Sequence, residues 1–448
     1  MNEQSPESLS VPFPKRWALP FFTIWSGQAM SLLGSQMVQF ALVWWLTKAT
    51  GSATVLATAT LVAMLPQVFL GPIAGVVVDR FSRRWVMALA DALSALAVVV
   101  LAALFWTNQV QVWHIYALMF IRSAAQGFHW PAMQSSTSLM VPKEHLSRIQ
   151  GLNQMLFGAM NIFSAPLAAL LVSAMPMQGV LAIDVSTALL AITPLLFIAV
   201  PQPPRSVALE AGEKAPSMFS DLRAGFRYVW TWPGLMMILV MATVINLMLT
   251  PSGALQPILV TRHFSGGALQ LAWMESAWGV GAVVGGLTLS AWGGFRRRIV
   301  TSMAALILLG VGVLAVGFVP ASMFWLAVVL MFLVGFTNPI VNGPLFAVVQ
   351  AVVAPDMQGR VFTLISSFAT AMTPIGLLFA GPIADRLGVQ TWYVIGGVIT
   401  ASLGVLAFFI PAIMNIESDK HDQAKDAAVE LNDNEQILPG KLAKISGD

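Results

Sequence analysis

Long apolar runs recur along almost the whole chain. Between Trp17 and Ala412, stretches of about 20 residues follow one another with few charged side chains in them. A stretch of that length crosses the ~30 Å hydrocarbon core of a bilayer as an α-helix, and a soluble core cannot cover so many helices that are apolar on every side. Only 10% of the 448 residues are charged, whereas roughly a quarter are charged in a soluble domain. The sequence therefore predicts an all-α integral membrane protein.

The runs predict twelve transmembrane spans in two groups of six. The first six cover residues 17–47, 53–78, 85–106, 112–140, 149–175 and 178–200. The second six cover residues 234–260, 268–294, 299–319, 322–352, 360–384 and 388–413. We expect two six-helix bundles over 17–200 and 234–413. A polar cytoplasmic linker over 201–233 joins them, with an interfacial helix around Phe219–Trp230. Residues 1–16 are expected to be a cytoplasmic tail and residues 414–448 a disordered one.

Basic residues mark one side of the membrane. Lys15 and Arg16 precede the first span, and the loops after spans two, four, six, eight and ten all carry basic residues, with three consecutive Arg at Arg296–Arg298. The opposite loops carry few or none. By the positive-inside rule both termini are predicted to be cytoplasmic. The chain contains no cysteine, which excludes disulfides, thiol catalysis and cysteine–metal sites.

A proline pattern indicates that the two bundles are related. Pro131 and Pro142 lie eleven residues apart, as do Pro344 and Pro355, and the two pairs are offset by 213 residues. An acid and an Arg follow each pair. Two parallel six-helix repeats with pseudo-symmetry would produce this pattern. The alternative is chance, because proline is frequent in this chain.

A charged stretch after span two carries a family resemblance. Its pattern is Gly75-x-x-x-Asp79-Arg80-x-Ser82-Arg83-Arg84. It resembles the loop signature of the major facilitator superfamily, which usually has Gly at the position of Ser82. Arg122, Gln126 and Gly127 in span four resemble the Arg motif of proton-coupled members of the superfamily.

Other stretches resemble the macrolide-efflux branch of the drug:proton antiporters. These stretches are Phe128–Ala132, Val141–Arg148, Glu275–Gly279, Gly359–Phe362 and Gly381–Arg386. The resemblance runs from about Trp17 to Pro411 and implies the major-facilitator fold, with twelve helices in two pseudo-symmetric six-helix bundles. It also implies a bacterial cytoplasmic (inner) membrane protein that exports macrolide-like drugs, driven by proton entry.

Four charged residues inside predicted spans are the candidates for proton coupling. A charge at the bilayer centre costs about 2.5–3.5 kcal/mol on insertion scales, so each of these charged residues needs a compensating partner or a function. Arg122 is about ten residues into span four, near the midplane at ~1.5 Å per residue. It must face water or an acceptor inside the bundle, where it either tunes the proton affinity of a carboxylate or meets substrate. The alternative is a structural Arg bonded to carbonyls and Gln side chains.

The other three candidates are carboxylates. Glu275 lies about two turns into span eight from the outer face, where it could take a proton outside and release it inside, or simply fix helix packing. Asp91, in the inner third of span three, is either a partner of the basic cytoplasmic loop or a proton carrier. Asp184, near the outer end of span six, either reaches water or takes part in coupling.

The charged stretch itself is predicted to be a conformational latch. Asp79 ends span two, where it can bond Arg83 or Arg84 and approach the positive N-terminus of span eleven. Such a contact would form only when the cytoplasmic side is closed, and so would bias the two-state equilibrium. The latch residues are Gly75, Asp79, Arg80, Arg83, Arg84 and Arg360. The alternative is a basic loop that only sets topology.

Polar side chains within spans one, seven and ten are the candidates for substrate binding. They are Gln28, Gln36, Gln39, Asn246, Asn338 and Asn342. Lipid offers these side chains no partner, and by resemblance these spans line the transport cavity. The same residue types also hold transmembrane helices together, so both roles stay open.

The expected partners are an amphipathic small molecule, protons and the lipid bilayer, with no nucleic acid, metal or cofactor. A monomer is expected. The chain has no Walker motif, so an ATP-binding partner protein would have to be a separate chain. The alternative function is export of a natural metabolite, such as a siderophore or lipid-like compound. A membrane enzyme or receptor scaffold is disfavoured by scattered histidines and the absence of a phosphate-binding loop.

Overall fold

The computed structural model describes residues 17–201, 226–353 and 355–417, and all regular secondary structure in these ranges is helical. Six long helices fall in the first range: α1 Ala18–Thr50, α2 Ala53–Arg80, α3 Arg83–Trp106, α4 Val112–Met140, α5 Leu146–Ala174 and α6 Met177–Phe197. Six follow: α7 Pro233–Ala254, α8 Ala268–Trp292, α9 Arg298–Phe318, α10 Phe324–Val352, α11 Pro355–Leu387 and α12 Val389–Phe408. The prediction of an all-α fold is confirmed. The two tails and most of the linker lie outside the described residues.

Many of these helices suit a bilayer. Within the described ranges, nine are long and apolar enough to cross a membrane: α1, α3, α5, α6, α7 and α9–α12. The remaining three, α2, α4 and α8, contain 28, 29 and 25 residues. At 1.5 Å per residue these lengths also exceed the ~30 Å hydrocarbon thickness. The chain is a multi-pass membrane protein.

Some helices end at a different residue from the predicted span. At these ends a glycine cap, and not a change in hydropathy, terminates the helix. The first span is predicted to end at residue 47, but α1 continues to Thr50 and stops at Gly51, whose φ of 61° is left-handed. Gly51 N–H donates to the carbonyl of Thr47 at 2.9 Å. Likewise α11 passes the predicted residue 384 and ends before Gly388, with a φ of 89°. Glycine takes this conformation without a Cβ penalty and so terminates helices.

Two predicted spans are too long at their C-terminal ends. The seventh is predicted to reach residue 260, but α7 ends at Ala254 and is followed by a π-helical turn at Leu259–His263. The twelfth is predicted to reach residue 413, but α12 ends at Phe408 and a short helix restarts at Pro411–Met414. Proline lacks the N–H needed to continue a helix, and apolar composition alone does not reveal these breaks.

The charged signature lies mostly on helices. The flanking spans are predicted to end at 78 and begin at 85, but α2 runs to Arg80 and α3 begins at Arg83, so only Phe81 and Ser82 separate them. Ser82 has φ −62° and ψ 117°, a backbone conformation open to any L-residue. The turn therefore does not require the Gly that the superfamily usually has there.

Two Arg of this signature bind the C-terminal parts of other helices. Arg83, 7% exposed, donates from Nη1 to the Ser135 carbonyl of α4 at 2.8 Å. Arg84 donates to the Leu196 carbonyl, one residue before α6 ends. Cationic groups are favourable near helix C-termini, where the dipole is negative. These contacts join the start of α3 to α4 and α6.

The described helices separate into two compact units. The first holds α1–α6 together with Val260–Ser276, which includes the start of α8. The second holds α7, the rest of α8 and α9–α12. Within the first unit, Ser276 Oγ donates to the Ile162 carbonyl of α5 at 2.8 Å. The first turns of α8 are thus bonded to a helix from the first half of the chain.

Glycines set the closest helix approaches in both units. In the first, a Cβ on Gly27 of α1 would lie 2.9 Å from the Leu190 carbonyl oxygen of α6. In the second, a Cβ on Gly285 of α8 would overlap the Phe336 carbonyl oxygen of α10. Small residues at such crossings let transmembrane backbones touch, which supplies the packing that lipid cannot.

Candidate functional site

A polar cavity lies within the first unit, between α1, α3, α4, α5 and α6. The empty space among its lining residues, open solvent included, is about 840 Å³. Its polar lining comes from Gln28, Ser31, Ser35, Asp91, Ser94, Gln126, His129, Gln134, Thr137, Asn153 and Asp184. Its apolar walls include Trp25, Trp130, Met133 and Phe157. Large apolar walls with a few fixed polar groups are typical of small-molecule sites.

An ion pair forms one end of this polar cluster. Arg122 Nη1 of α4 lies 2.7 Å from Asp184 Oδ2 of α6, and the two side chains are 13% and 6% exposed. Arg122 Nη2 also donates to the Ser35 carbonyl at 3.2 Å, and Ser35 Oγ donates to Asp184 Oδ1 at 3.2 Å. Arg122 thus meets its acceptor inside the unit. Asp184 is largely buried, and its side chain pairs with Arg122 inside the unit.

Gly34 lets Asp184 approach α1 this closely. A Cβ at Gly34 would overlap Thr187 Oγ1 and lie 3.2 Å from Asp184 Oδ1. Thr187 Oγ1 is itself bonded to the Asp184 carbonyl at 2.9 Å. The missing side chain at Gly34 therefore makes room for the carboxylate beside Ser35.

A second carboxylate sits on the opposite flank of the cavity. Asp91 Oδ2 of α3 accepts a hydrogen bond from Gln28 Nε2 of α1 at 2.9 Å. Its Oδ1 lies 3.4 Å from His129 Nε2 of α4. The contact has ion-pair distance without hydrogen-bond alignment, and both ring nitrogens of His129 are buried without a hydrogen bond in the described residues. Among the described residues, the partners of Asp91 are thus the cavity-lining side chains of Gln28 and His129.

Sequence reasoning missed His129. Arg122, Gln126 and His129 recur at the i, i+4, i+7 spacing of one helix face. Because Arg122 was already a candidate, that spacing could have brought His129 into the site. Asn153 of α5 was also missed; its Oδ1 accepts from Trp25 Nε1 at 2.7 Å.

The remaining coupling and latch residues lie elsewhere. Glu275 is the eighth residue of α8, half-buried, and does not line the cavity. Arg80 is exposed, and Arg360 Nη1 lies 3.6 Å from Met357 Sδ. The side-chain surroundings of Gly75 and Asp79 are outside the described structure, so the latch stays a prediction.

The six polar candidates for substrate binding are spread over both units. Gln28 lines the cavity beside Asp91, whereas Gln36 is exposed and Gln39 half-buried on the same helix. In the second unit the Asn side chains bond along their own helices. Asn246 Nδ2 donates to the Ala242 carbonyl at 2.9 Å, and Asn342 Nδ2 to the Asn338 carbonyl at 3.0 Å.

Comparisons with known proteins give the family. Residues 24–377 match the Major Facilitator Superfamily. The chain is 32% identical over 401 residues to macrolide efflux protein A of Streptococcus pyogenes, covering 90% of this chain and 98% of that protein. It is 27% identical over 400 residues to the multidrug efflux pump Tap of Mycolicibacterium fortuitum, covering 86% and 94%.

The fold has solved counterparts at low identity. A crystal structure of a variant of the nucleoside transporter NupG superposes with a TM-score of 0.66 at 13% identity, covering 87% of this chain and 98% of that one. At this identity the likeness concerns the fold alone. With the family match over most of the chain, it leads to one conclusion: this chain belongs to the Major Facilitator Superfamily of membrane transporters.

Proposed function

We propose that the chain is a secondary active efflux transporter that exports amphipathic drugs, macrolide antibiotics in particular, by proton antiport and alternating access. The observation that carries the proposal is the similarity to macrolide efflux protein A along nearly the whole of both chains. The expected site of action is a bacterial inner membrane, with both termini in the cytoplasm and the protein acting as a monomer.

The first-unit cavity supports this proposal chemically. Trp25, Trp130 and Phe157 offer flat apolar surfaces, and Asp91 offers a negative charge among them. Macrolides combine a large apolar ring with a basic amino sugar, so an apolar wall beside a carboxylate suits their chemistry. The same carboxylate can bind a proton instead, which is the competition that an antiporter needs.

Coupling is assigned to the charged groups inside spans. We propose Arg122, Asp184, Asp91 and Glu275 for proton coupling, because charges at these depths are too costly to be kept without a role. The Asp79–Arg84 stretch with Arg360 is proposed as the latch that biases the inward and outward states.

A susceptibility panel tests the proposed function. The chain is expressed in an efflux-deficient bacterial host and minimum inhibitory concentrations are measured for macrolides and unrelated drugs, with and without a protonophore. The concentrations for macrolides should rise, and the protonophore should abolish the rise. The matched control is Arg122→Gln at equal membrane abundance, which should show no rise because it leaves Asp184 without its cation.

If no minimum inhibitory concentration changes, the result would contradict drug export and favour a natural metabolite as the substrate. A rise in inhibitory concentration that persists with the protonophore would contradict proton coupling while leaving drug export intact. Reconstituted proteoliposomes with an imposed pH gradient then measure drug accumulation directly, without the other pumps of the host.

A further inference from the structure

We propose that the Asp91–His129 pair, and not the Arg122–Asp184 pair, holds the exchangeable proton of the first-unit cavity. The proposal deepens the proton antiport proposed above and rests on it for its role in transport. His129 enters as a proton-holding residue that family resemblance and sequence reasoning had left without a role.

The charged side chains in and next to the cavity do not balance: Asp91 and Asp184 line it, and Arg122 pairs with Asp184. Arg122 and Asp184 have opposite charges at 2.7 Å and cancel each other. Among the described residues, the polar partners of Asp91 are Gln28 and His129, both neutral when the imidazole is unprotonated. The four groups then sum to one negative charge in a largely buried site. Since an uncompensated buried charge is costly, the cavity should take up one cation, and a proton is the smallest.

The position of that proton follows from the two pairs. Protonating Asp184 would remove the counter-ion of Arg122 and leave a buried guanidinium charge uncompensated. Protonating the Asp91–His129 pair instead brings its net charge to zero. The Arg122–Asp184 pair is therefore stable without the extra proton, and the Asp91–His129 pair is the one that gains from it.

Asp91 and His129 can share this proton. In one form an imidazolium N–H on Nε2 donates to the carboxylate Oδ1. In the other, the protonated Oδ1 donates to neutral Nε2; the two atoms are 3.4 Å apart, so a small side-chain movement closes the bond. Both forms carry the same proton and no net charge. Loss of the proton leaves a neutral imidazole and a carboxylate held by Gln28 Nε2 at 2.9 Å.

The unbonded nitrogens of His129 are the second observation behind the proposal. The residue is 6% exposed, and both Nδ1 and Nε2 lack a hydrogen bond within the described structure. Buried polar atoms are nearly always bonded, and an exception calls for a functional reason or a water molecule. The cavity lining of Gln28, Ser31 and Gln126 is polar enough to hold water beside the ring.

Other charged groups near the pair are already engaged or distant. Among the residues that line the cavity, α1 and α5 contribute only neutral side chains, α6 contributes Asp184, and α2 contributes none. On α3, Arg83 and Arg84 bind the Ser135 and Leu196 carbonyls about two turns before Asp91. On α4 the charged neighbour is Arg122, which binds Asp184.

Infrared difference spectroscopy tests the proton site without any drug. Purified protein is exchanged between acid and alkaline buffer, and the protonated-carboxyl band and the imidazolium ring band are recorded, so that either form of the shared proton gives a signal, here called the cavity band. The samples are the wild type, Asp91→Asn, Asp91→Glu, Asp184→Asn and His129→Gln. The pH-dependent cavity band should vanish in Asp91→Asn, return in Asp91→Glu and persist in Asp184→Asn. In His129→Gln it should titrate at a different midpoint pH, a change that a merely structural His would not cause. Equal elution on size exclusion shows that each variant is folded.

Loss of this band in Asp184→Asn, with no change in Asp91→Asn, would overturn the proposal. So would a His129→Gln titration identical to that of the wild type. A transport measurement distinguishes failure of the proposed proton site from failure of the proposed proton antiport. Asp91→Asn proteoliposomes should lose drug accumulation driven by a pH gradient, whereas wild-type proteoliposomes should show it. If the wild type shows the Asp91 band yet no gradient-driven accumulation, the proton site stands and the antiport proposal fails.

Discussion

Neutralising Arg122 and Asp184 together should cost less stability than the sum of the two single substitutions, because the two side chains form a buried ion pair. In Arg122→Gln the Asp184 carboxylate, 6% exposed, keeps the Ser35 hydroxyl as its recorded side-chain partner. Removing one member of a buried ion pair costs about 3–5 kcal/mol because the other charge stays buried and unpaired. The low exposure of both side chains places this pair within that range.

The double variant Arg122→Gln/Asp184→Asn leaves two neutral amides that can bond to each other. Its cost should therefore fall below the sum of the single costs, with a coupling free energy of roughly 2–3 kcal/mol. Ser35→Ala is the matched control, because it removes one neutral hydrogen bond to Asp184 Oδ1 and should cost only about 0.5–1.5 kcal/mol.

The free energy of unfolding of the four variants can be measured by denaturant titration in mild micelles, followed through the fluorescence of the 15 Trp. Single charge variants no more costly than Ser35→Ala, or a double variant equal to the sum of the singles, would refute the reasoning. Such a result would also remove the electrostatic reason for keeping the exchangeable proton off Asp184.

Three further predictions concern the other parts of the chain. Gly285→Ala should lower stability by roughly 1–3 kcal/mol because its Cβ would overlap the Phe336 carbonyl. Gly286→Ala at the neighbouring position, with no atom within 4 Å of the added Cβ, should be neutral or slightly stabilising, and the same denaturant titration measures both variants. Glu275→Gln should reduce the protons released when drug is added to purified protein, and an unchanged count would remove Glu275 from coupling. Asp79→Asn should change the transport rate and the inward-to-outward ratio in a spin-label distance measurement, and unaltered values would eliminate the latch.

The helical fold was predictable because hydrocarbon thickness imposes the same length on every span. The fourth span is predicted at 112–140 and α4 occupies those residues. Ends set by backbone conformation were not predictable in the same way. Gly51 stops α1 only because its φ is 61°, and hydropathy carries no information about φ. The π-helical turn at Leu259–His263 after α7 is a further case, because side-chain composition does not distinguish a π-helical turn from a regular helical one.

Part of the site could also be predicted from the free-energy cost of placing a charged side chain inside a membrane span. Arg122, Asp91 and Asp184 stand out because charges inside spans need partners, and the structure brings all three to one unit. The pairing itself depends on the helix arrangement. Asp184 meets Arg122 because Gly34 lets α6 approach α1. His129 escaped notice because an uncharged imidazole costs less in a membrane than a formal charge, and so gives a weaker signal.

The contacts of Arg83 and Arg84 have a consequence for how the chain is inserted during synthesis. The charges that are predicted to keep this loop in the cytoplasm also donate hydrogen bonds to the Ser135 and Leu196 carbonyls near the ends of α4 and α6. Removing them to probe topology would therefore change two things together: the sidedness signal read by the insertion machinery and the final seating of two later helices. A nascent chain halted before residue 197 would carry the sidedness signal but lack the complete α6 that Arg84 binds. The membrane orientation of the chain would thus be set before Arg84 forms its hydrogen bond to α6.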